Sequence, residues 1–211
     1  MGMKLFIDIY AGFGGASEAF VNAPGWKVIR IENNPLLADV PHTWSLNILK
    51  ISLDELFLEC SPDLFEEVVL WFSPPCREFS DGYNSPKSIA AREGRLDSYQ
   101  PDMTLLERSI EIVNYFISSS CLNHYIIENV KGASPYFKQL LGEHRQRIGP
   151  FLLWGEFPYI DVGDFKHEKS HQDVHSSNPL RSNHKAKIPI EVSTALMKAI
   201  DGHVRLDRWT N

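Results

Sequence analysis

The chain has 211 residues, 43% of them apolar and 23% charged, which is enough for one well-filled globular core spanning residues 1–211. A net charge of −6 excludes a uniformly basic nucleic-acid coat. No apolar run of about 18 residues occurs, the start is unlike a secretion signal, and the three cysteines lack metal-type or paired spacing, so we expect a cytoplasmic protein with no membrane contact.

Short apolar runs alternate with amphipathic stretches, a pattern typical of an α/β domain with a largely parallel sheet. The first run, residues 4–9, predicts a buried strand that leads into a glycine-rich turn and then into a helix from about Ala16. A second strand, residues 27–31, ends at Glu32. We therefore expect the first ligand-binding features at the ends of these two strands.

The glycine-rich turn covers residues 8–15, Asp-Ile-Tyr-Ala-Gly-Phe-Gly-Gly. Its glycines allow the backbone to approach a ligand closely at the start of a helix. Glu32 follows Gly15 by 17 residues, at a position from which a carboxylate can bind both ribose hydroxyls of an adenosine. The pattern predicts a cofactor site, although such a turn is also compatible with a purely structural role.

A third strand, residues 68–72, runs into Ser73-Pro74-Pro75, and the prolines prevent its continuation as a central strand. Cys76 must therefore follow a sharp turn. Residues 77–101 are polar and too many for an ordinary connection, so we expect a mobile functional loop. This setting is unusual for a packing cysteine and suits a presented, reactive thiol.

The next helix is predicted to open with a capping box at Thr104 and Glu107. Its predicted apolar face consists of Leu106, Ile110, Val113 and Ile117. Residues 125–127 then form a short strand that brings Glu128 and Asn129 to the carboxyl edge of the sheet, where ligands of open α/β sheets bind. A carboxyl group buried at that edge can stay protonated and donate a proton.

Charge is unevenly distributed along the chain. Residues 1–130 contain 9 Lys and Arg against 18 Asp and Glu, whereas residues 131–187 contain 9 against 6 and five of the eight histidines. A polyanion is therefore expected over the later segment, although an unevenly charged solvated surface explains the same pattern. An apolar run follows at residues 148–154, and a closing amphipathic helix is marked by Val192, Ala195, Leu196, Ala199 and Ile200.

His167, His171 and His175 repeat at four-residue spacing, which would place three imidazoles on one helix face. No set of thiolates or carboxylates completes a metal site, so we predict no metal. Contacts to phosphate and plain solvation are the remaining alternatives for these histidines.

The glycine-rich turn, the Cys76 segment and the Glu128 segment, in this order along the chain, resemble motifs of the cytosine-5 DNA methyltransferase family. Residues 8–17 resemble its first cofactor motif, residues 74–80 (Pro-Pro-Cys-Arg-Glu-Phe-Ser) its nucleophile motif and residues 128–130 (Glu-Asn-Val) its glutamate motif, within a resemblance covering residues 4–158. The resemblance implies a Rossmann-like class I methyltransferase fold, with a mostly parallel seven-stranded sheet flanked by helices. It also implies S-adenosylmethionine as cofactor, S-adenosylhomocysteine as product and DNA, duplex or single stranded, as substrate.

The same resemblance implies roles for individual residues. Cys76 would attack cytosine carbon 6, and Glu128 would protonate or hydrogen-bond ring nitrogen 3. Arg145 and Arg147 would hold the base carbonyl or a phosphate and would lower the thiol pKa. The implied cofactor-binding residues are Asp8, Tyr10, Ala11, Gly12, Phe13, Gly14, Gly15, Glu32, Asn33, Asn47, Pro75 and Leu105. The implied substrate-binding residues are Pro74, Ser80 and Asn129.

Several positions depart from the family pattern. Glu143 stands first in the arginine motif, Asn47 stands near the usual adenine-binding aspartate, and Arg77 replaces a glutamine. Residues 159–187 form only a short polar insert in place of a target-recognition domain, and residues 187–190 lack a Gly-Asn signature. We therefore predict DNA methylation with low sequence selectivity, of a restriction-modification or viral type. The alternatives are cytosine methylation of RNA or a free nucleotide, and a cofactor-binding subunit that needs a partner chain for target recognition.

Overall fold

The computed structural model describes residues 2–167 and 177–207. Its single described sheet is formed by β1 Lys4–Ile9, β2 Trp26–Glu32, β3 Thr43–Ser45, β4 Glu67–Phe72, β5 His124–Val130, β6 Gln146–Ile148 and β7 Phe151–Glu156. The strand order is β3-β2-β1-β4-β5-β7-β6, and β7 runs in the opposite direction to the other six described strands. The predicted α/β fold with a mostly parallel seven-stranded sheet is confirmed, and the sheet is mixed rather than purely parallel.

Helices cover both faces of this sheet. They are α1 Leu53–Cys60, α2 Pro86–Arg92, α3 Thr104–Ser118, α4 Ser134–Leu141, α5 Arg181–Ala186 and α6 Ile190–Asp207. One core cluster joins the sheet to α1, α3 and α4, and a second joins its other face to α6. Because both faces are covered, β4 is buried along its whole length, as its nearly unbroken apolar sequence requires.

The connections of β1 and β4 create a crevice between the two strands. They are neighbours in the sheet, although β2 and β3 follow β1 on one side and β5 follows β4 on the other. Ligands of open α/β sheets bind outside the carboxyl ends of the strands at such a reversal point. We therefore expect a ligand site at the segments that follow Ile9 and Phe72, the last residues of β1 and β4.

The helix predicted from about Ala16 is wrong, because only a short 3₁₀ turn, Glu18–Phe20, follows the glycine-rich turn. The Ala19 amide donates to the Ser193 hydroxyl at 3.0 Å instead of to a helical carbonyl oxygen, and Pro24 ends the segment. The closing helix α6, which was predicted correctly, packs into this space instead. The Ser193 hydroxyl on α6 donates to the Ala16 carbonyl oxygen at 2.7 Å.

The predicted capping box at the start of α3 does not form. The Thr104 amide donates instead to the Asp102 carboxylate at 2.9 Å, so Asp102 satisfies this end of the helix. The buried face of α3 also differs from the predicted face, because Ile117 is 51% exposed and Phe116 is fully buried. The larger aromatic side chain occupies the core at this turn of the helix.

Residues 77–101, predicted to be a mobile functional loop, contain α2 and the 3₁₀ turn Leu96–Ser98. Pro86 occupies the first turn of α2, and the Ser85 hydroxyl accepts a hydrogen bond from the Ser88 amide at 3.2 Å. This combination of cap and proline is a helix-start signal that the polar composition obscured. Within residues 2–167 and 177–207, no helix has the length and apolar character that crossing a membrane requires.

Candidate active site

The glycine-rich turn lies at the carboxyl end of β1 and is held by the end of β2. One oxygen of the Glu32 carboxylate accepts from the Gly12 amide at 2.8 Å, and the other accepts from the Asn34 amide at 2.8 Å. Gly12 has a φ of 55°, in the left-handed region that favours glycine. Each carboxylate oxygen keeps further lone-pair capacity, so Glu32 can still accept hydrogen bonds from a ligand.

Asp8 lies beneath the glycine-rich turn and is only 1% exposed. The Ser17 hydroxyl donates to its carboxyl group at 2.6 Å, and the Arg30 guanidinium donates to Ser17 at 2.8 Å and to the Gly14 carbonyl oxygen at 3.0 Å. Burial raises the pKa of Asp8 to about 7, against the opposing effects of Ser17 and Arg30. These contacts place Asp8 in a buried network that supports the turn from below.

Tyr10 connects the glycine-rich turn to α3. Its hydroxyl donates to the Leu105 carbonyl oxygen at 2.9 Å, and burial raises its pKa to about 12. Close to Leu105, a cavity of about 190 Å³ opens beside the segment that follows β4. It is lined by Pro74, Pro75, Arg77, Glu78, Phe79, Asp102, Leu105 and Leu106. Pro75 and Leu105 were predicted independently to bind the cofactor, and in the structure they line the same cavity.

The remaining nominated cofactor residues lie in turns at this edge of the sheet. Ala11 and Phe13 are half-buried in the glycine-rich turn, and Asn33 is exposed directly after β2. The Asn47 side-chain oxygen accepts from the Leu49 amide at 3.0 Å. The Asn47 side-chain oxygen is therefore used within a local turn. An aspartate at this position, as is usual in the family that the sequence resembles, would have an oxygen atom in the corresponding place.

Cys76 begins the 3₁₀ turn Cys76–Glu78, directly after Pro75. Its carbonyl oxygen accepts from the Phe79 amide at 3.0 Å and the Ser80 amide at 2.9 Å. Phe79 is only 3% exposed and packs edge-on against Phe137 with ring centroids 5.2 Å apart, so it anchors the turn in the core. The sharp turn predicted before Cys76 is confirmed, and the thiol is half-buried at its apex.

Glu128, near the end of β5, is 8% exposed. Burial raises its pKa to about 7, and a hydrogen bond with the Ser73 side chain opposes that shift. The pKa of Cys76 is also raised, first by burial and then by the charge of Glu128. The two groups are therefore close enough for the ionisation of one to alter the other. The expectation of a lowered thiol pKa is wrong.

Arg145 and Arg147 do not provide the positive charge expected beside the thiol. Both are exposed: the Arg145 guanidinium lies 5.5 Å from the Phe157 ring centroid, and Arg147 donates to the Gly149 carbonyl oxygen at 2.9 Å. Alternation along β6 explains their position. Glu128 pairs with Leu153, and Leu153 pairs with Gln146, so the side chain of Gln146 lies on the same face of the sheet as Glu128. Because side chains alternate along a strand, the two arginines on either side of Gln146 lie on the opposite face.

The predicted substrate-binding residues have hydrogen-bond partners within the protein. The Asn129 side chain, 1% exposed, donates to the Pro74 carbonyl oxygen at 2.9 Å, which ties the end of β5 to the turn before Cys76. The Ser80 hydroxyl accepts from the Gly82 amide at 3.1 Å. Asn129 therefore fixes the relative position of the nucleophile segment and Glu128.

The structure adds α5 and the segment after it to the glycine-rich turn, which the sequence did not predict. The His184 and Phe13 ring centroids are 4.3 Å apart, and a Cβ atom added to Gly15 would lie 2.3 Å from the Ile188 carbonyl oxygen. Gly15 thus permits close backbone approach. A glycine at this position indicates that another segment of the chain packs closely against the turn, but the sequence does not indicate which segment that is.

A second cavity of about 260 Å³ lies beside this contact. It is lined by Glu18, His167, His184, Lys185, Lys187, Ile188, Pro189 and Ile190. Of the three spaced histidines, His171 and His175 lie outside the described residues. The residues that the structure describes contain no group of three or more His, Cys, Asp or Glu placed to hold a metal ion.

Comparison with known proteins finds no matching family model and no matching curated protein. Among solved structures, the chain is similar to a methyltransferase of Entamoeba histolytica, EhMeth, with 16% sequence identity and a TM-score of 0.42. The match covers 83% of this chain but only 58% of that protein, so the chain spans less than two thirds of its length. Function must therefore be argued from the site itself.

Proposed function

We propose that this protein is an S-adenosylmethionine-dependent methyltransferase that acts on carbon 5 of cytosine through a covalent bond to Cys76. The observation that carries the proposal is the pairing of a presented thiol with a protonatable carboxyl group. Cys76 follows β4 and Glu128 lies near the end of β5, two adjacent parallel strands, and the charge of Glu128 affects the thiol. The resemblance of the surrounding residues to the cytosine-5 DNA methyltransferase family supports the same chemistry.

Cytosine carbon 5 is too weak a nucleophile to take a methyl group directly, so the ring needs covalent activation. In the proposed reaction, the Cys76 thiolate forms a bond to ring carbon 6, and the displaced electron pair moves toward ring nitrogen 3. Glu128 gives its proton to that nitrogen. A pKa of about 7 keeps a substantial fraction of this carboxyl group protonated at neutral pH, which an ordinary glutamate would not achieve.

The reactive state requires Cys76 without its proton and Glu128 with one. That state contains as many protons as the pair of neutral thiol and ionised carboxylate, so a single proton shift between the two groups produces it. Protonation of Glu128 also removes the negative charge that raises the thiol pKa. After carbon 5 has taken the methyl group, a water molecule accepts the carbon 5 proton, the electron pair of that C–H bond re-forms the ring double bond as the thiolate leaves carbon 6, and nitrogen 3 returns its proton to the Glu128 carboxylate.

The residues around the crevice fit S-adenosylmethionine. Glu32 retains acceptor capacity for ribose hydroxyls, the glycine-rich turn leaves the backbone accessible, and the cavity lined by Pro75 and Leu105 offers apolar contact for a purine. Strand order around the β1–β4 reversal supports a Rossmann-like class I fold, whose ligands bind at this edge. The bound cofactor would supply the electrophilic methyl group.

DNA is the proposed substrate, with little sequence selectivity. His184 and Lys185 line the cavity beside the glycine-rich turn, where Lys187 pairs with Glu18, and these two side chains suit contact with phosphates. Duplex DNA hides carbons 5 and 6 of cytosine within the base stack, so the base must be extruded or already single stranded. In this proposal residues 1–211 act as one catalytic domain, and residues 159–187 replace a larger recognition domain.

The test is methyl transfer from labelled cofactor to duplex DNA, single-stranded DNA, RNA and dCMP, together with covalent trapping on 5-fluorocytosine DNA. Cys76→Ser is expected to retain cofactor binding and to lose both methylation and trapping, because the serine hydroxyl is a far weaker nucleophile. Cys121→Ser, another half-buried thiol, is the matched control and should retain both. Trapping by Cys76→Ser would refute the proposed nucleophile.

The substrate panel separates the other candidate functions. Labelling of RNA or dCMP alone would replace DNA as the substrate. Cofactor binding without methyl transfer to any substrate would instead indicate a subunit that needs a partner chain for target recognition.

A further inference from the structure

We infer that Ser73 is a positioning residue that directs the proton of Glu128 toward the substrate, through a hydrogen-bond chain that starts at Trp71. The inference rests on the proposed function, because it deepens the role of Glu128 as the proton donor. Its basis is the arrangement of three side chains where β4 and β5 end side by side.

Strand register places Ser73 next to Glu128. Trp71 pairs with Ile126 and Phe72 with Ile127 in the parallel pair β4–β5, so the next residues along the two strands are Ser73 and Glu128. Side chains alternate between faces along a strand, which puts Trp71, Ser73 and Glu128 on one face. The Ser73 side chain acts to lower the pKa of Glu128, which agrees with this placement.

Backbone contacts fix Ser73 although β4 ends there. Its amide donates to the Ile9 carbonyl oxygen at 3.2 Å, which continues the pairing of β4 with β1 by one residue. The following residue, Pro74, is held through its carbonyl oxygen by the Asn129 side chain at 2.9 Å. Ser73 is therefore restrained by β1 on one side and by the residue next to Glu128 on the other.

The Trp71 indole determines the direction of the Ser73 hydroxyl. Its Nε1–H donates to Ser73 Oγ at 2.8 Å, and an indole nitrogen cannot accept a hydrogen bond. Ser73 is thus the acceptor in this contact, and its single hydroxyl proton is free to point at Glu128. Trp71 is fully buried, so water does not compete for the indole N–H.

This direction decides which oxygen of Glu128 carries the acidic proton. A protonated carboxyl group has one O–H and one carbonyl oxygen, and the oxygen that accepts from Ser73 is favoured as the carbonyl. The O–H then lies on the other oxygen, where it can donate to ring nitrogen 3 of a bound cytosine. When that O–H bond breaks and the N–H bond forms, Ser73 remains a donor and stabilises the carboxylate.

The test compares Ser73→Ala with Ser73→Thr, which keeps the hydroxyl. Ser73→Ala should lower kcat roughly ten- to a hundredfold, the effect of losing one hydrogen bond to a charged group, with little change in KM for the cofactor. It should also move the acidic limb of the pH–rate profile to higher pH, because the lost hydrogen bond opposes the rise in the Glu128 pKa. Ser73→Thr should restore both properties.

Two further variants separate positioning from general damage to the fold. Trp71→Phe keeps an aromatic ring in the core but removes the N–H, so it should reproduce part of the kcat loss. Ser52→Ala also deletes a hydrogen-bonding hydroxyl, the one that caps α1, and should leave kcat and the pH–rate profile unchanged. A wild-type kcat and pH–rate profile in Ser73→Ala would overturn the inference, as would a Ser73→Thr variant no better than Ser73→Ala.

A direct titration keeps this test independent of the proposed reaction. Carbon-13 NMR of the Glu128 carboxyl carbon, assigned by its loss in Glu128→Gln, should show a higher pKa in Ser73→Ala than in the wild type. An unchanged titration would overturn the contact between Ser73 and Glu128. If the wild type methylates no cytosine, the proposed function fails, while this titration still decides whether Ser73 holds the carboxyl group.

Discussion

Two buried glutamates on neighbouring strands of the sheet have opposite ionisation properties. Glu67 begins β4 at the amino edge of the sheet and is 3% exposed. Its carboxylate is 2.7 Å from the Lys4 ammonium and 3.4 Å from the His124 imidazole. Burial alone would raise the Glu67 pKa, but the hydrogen bonds and charges of His124 and Lys4 outweigh it and lower the pKa.

Glu128 is similarly buried at the opposite, carboxyl edge, but its hydrogen-bond partner is the neutral Ser73 hydroxyl. Burial therefore prevails and raises its pKa to about 7. Burial raises the pKa of both carboxyl groups, and the cationic neighbours of Glu67 reverse that effect, whereas the neutral Ser73 side chain does not reverse it at Glu128. We therefore expect Glu67, at the amino edge, to stabilise the fold and Glu128, at the carboxyl edge, to act as an acid.

The largest difference between the two edges should appear in catalysis. Glu128→Gln should lower kcat by about 10²- to 10⁴-fold, the usual contribution of a general acid, because an amide cannot supply the proton. Glu67→Gln makes the same chemical change at the other edge and should leave the kcat of the folded enzyme unaltered. Single-turnover methylation at saturating cofactor measures both variants, and equal losses would contradict the division of roles between the edges.

Stability should change in opposite directions in the same two variants. The folded pKa of Glu128 lies above its unfolded value, so ionising Glu128 destabilises the fold as pH rises from about 4.5 to about 7. Glu128→Gln should remove this loss and gain roughly 3 kcal/mol of unfolding free energy above pH 7. Glu67→Gln removes the ion pairs with Lys4 and His124 and should lose roughly 2 kcal/mol near neutral pH, the size of a hydrogen bond to a charged group. Because the pKa of Glu67 is lowered, this loss should shrink in acid as Glu67 becomes protonated.

Urea unfolding of wild type and both variants, from about pH 5 to about pH 8, measures these changes. Asp8 also has a raised pKa and adds a decline with pH of the same sign in all three proteins, so the variants must be compared with the wild type at each pH. A stability gain in Glu67→Gln near neutral pH would mean that its ion pairs do not repay the desolvation of the carboxylate.

The sequence predicted the carboxyl edge better than the amino edge. Prolines after β4 and glycines after β1 mark strand ends locally, so the sharp turn before Cys76 and the position of Glu32 at the end of β2 could be predicted. The cluster of Lys4, Glu67 and His124 was not predicted, because it joins three strands that are distant in the chain. Nothing in the local pattern around Glu67 specifies those partners.

The failures at the carboxyl edge have a similar cause. Which side of β6 faces Glu128 depends on its register with β7, so the sequence pattern of Arg145 and Arg147 could not show that Gln146 shares that face. Likewise, Gly15 requires a close neighbour, but only the packing of α6 brings Ile188 to it. Local chemistry was therefore predictable, and its long-range partners were not.

The smallest expected effect concerns Glu32, another acidic residue at the carboxyl edge. Both of its oxygens accept backbone amides, and a glutamine would turn an NH₂ group toward either Gly12 or Asn34. Glu32→Gln should therefore weaken S-adenosylhomocysteine binding about tenfold in calorimetric titration, with less effect on unfolding. Glu18→Gln is the matched control, because Glu18 lies beside the same turn but pairs with Lys187 at 2.8 Å. Unchanged affinity in Glu32→Gln would mean that Glu32, like Glu67, serves only the fold.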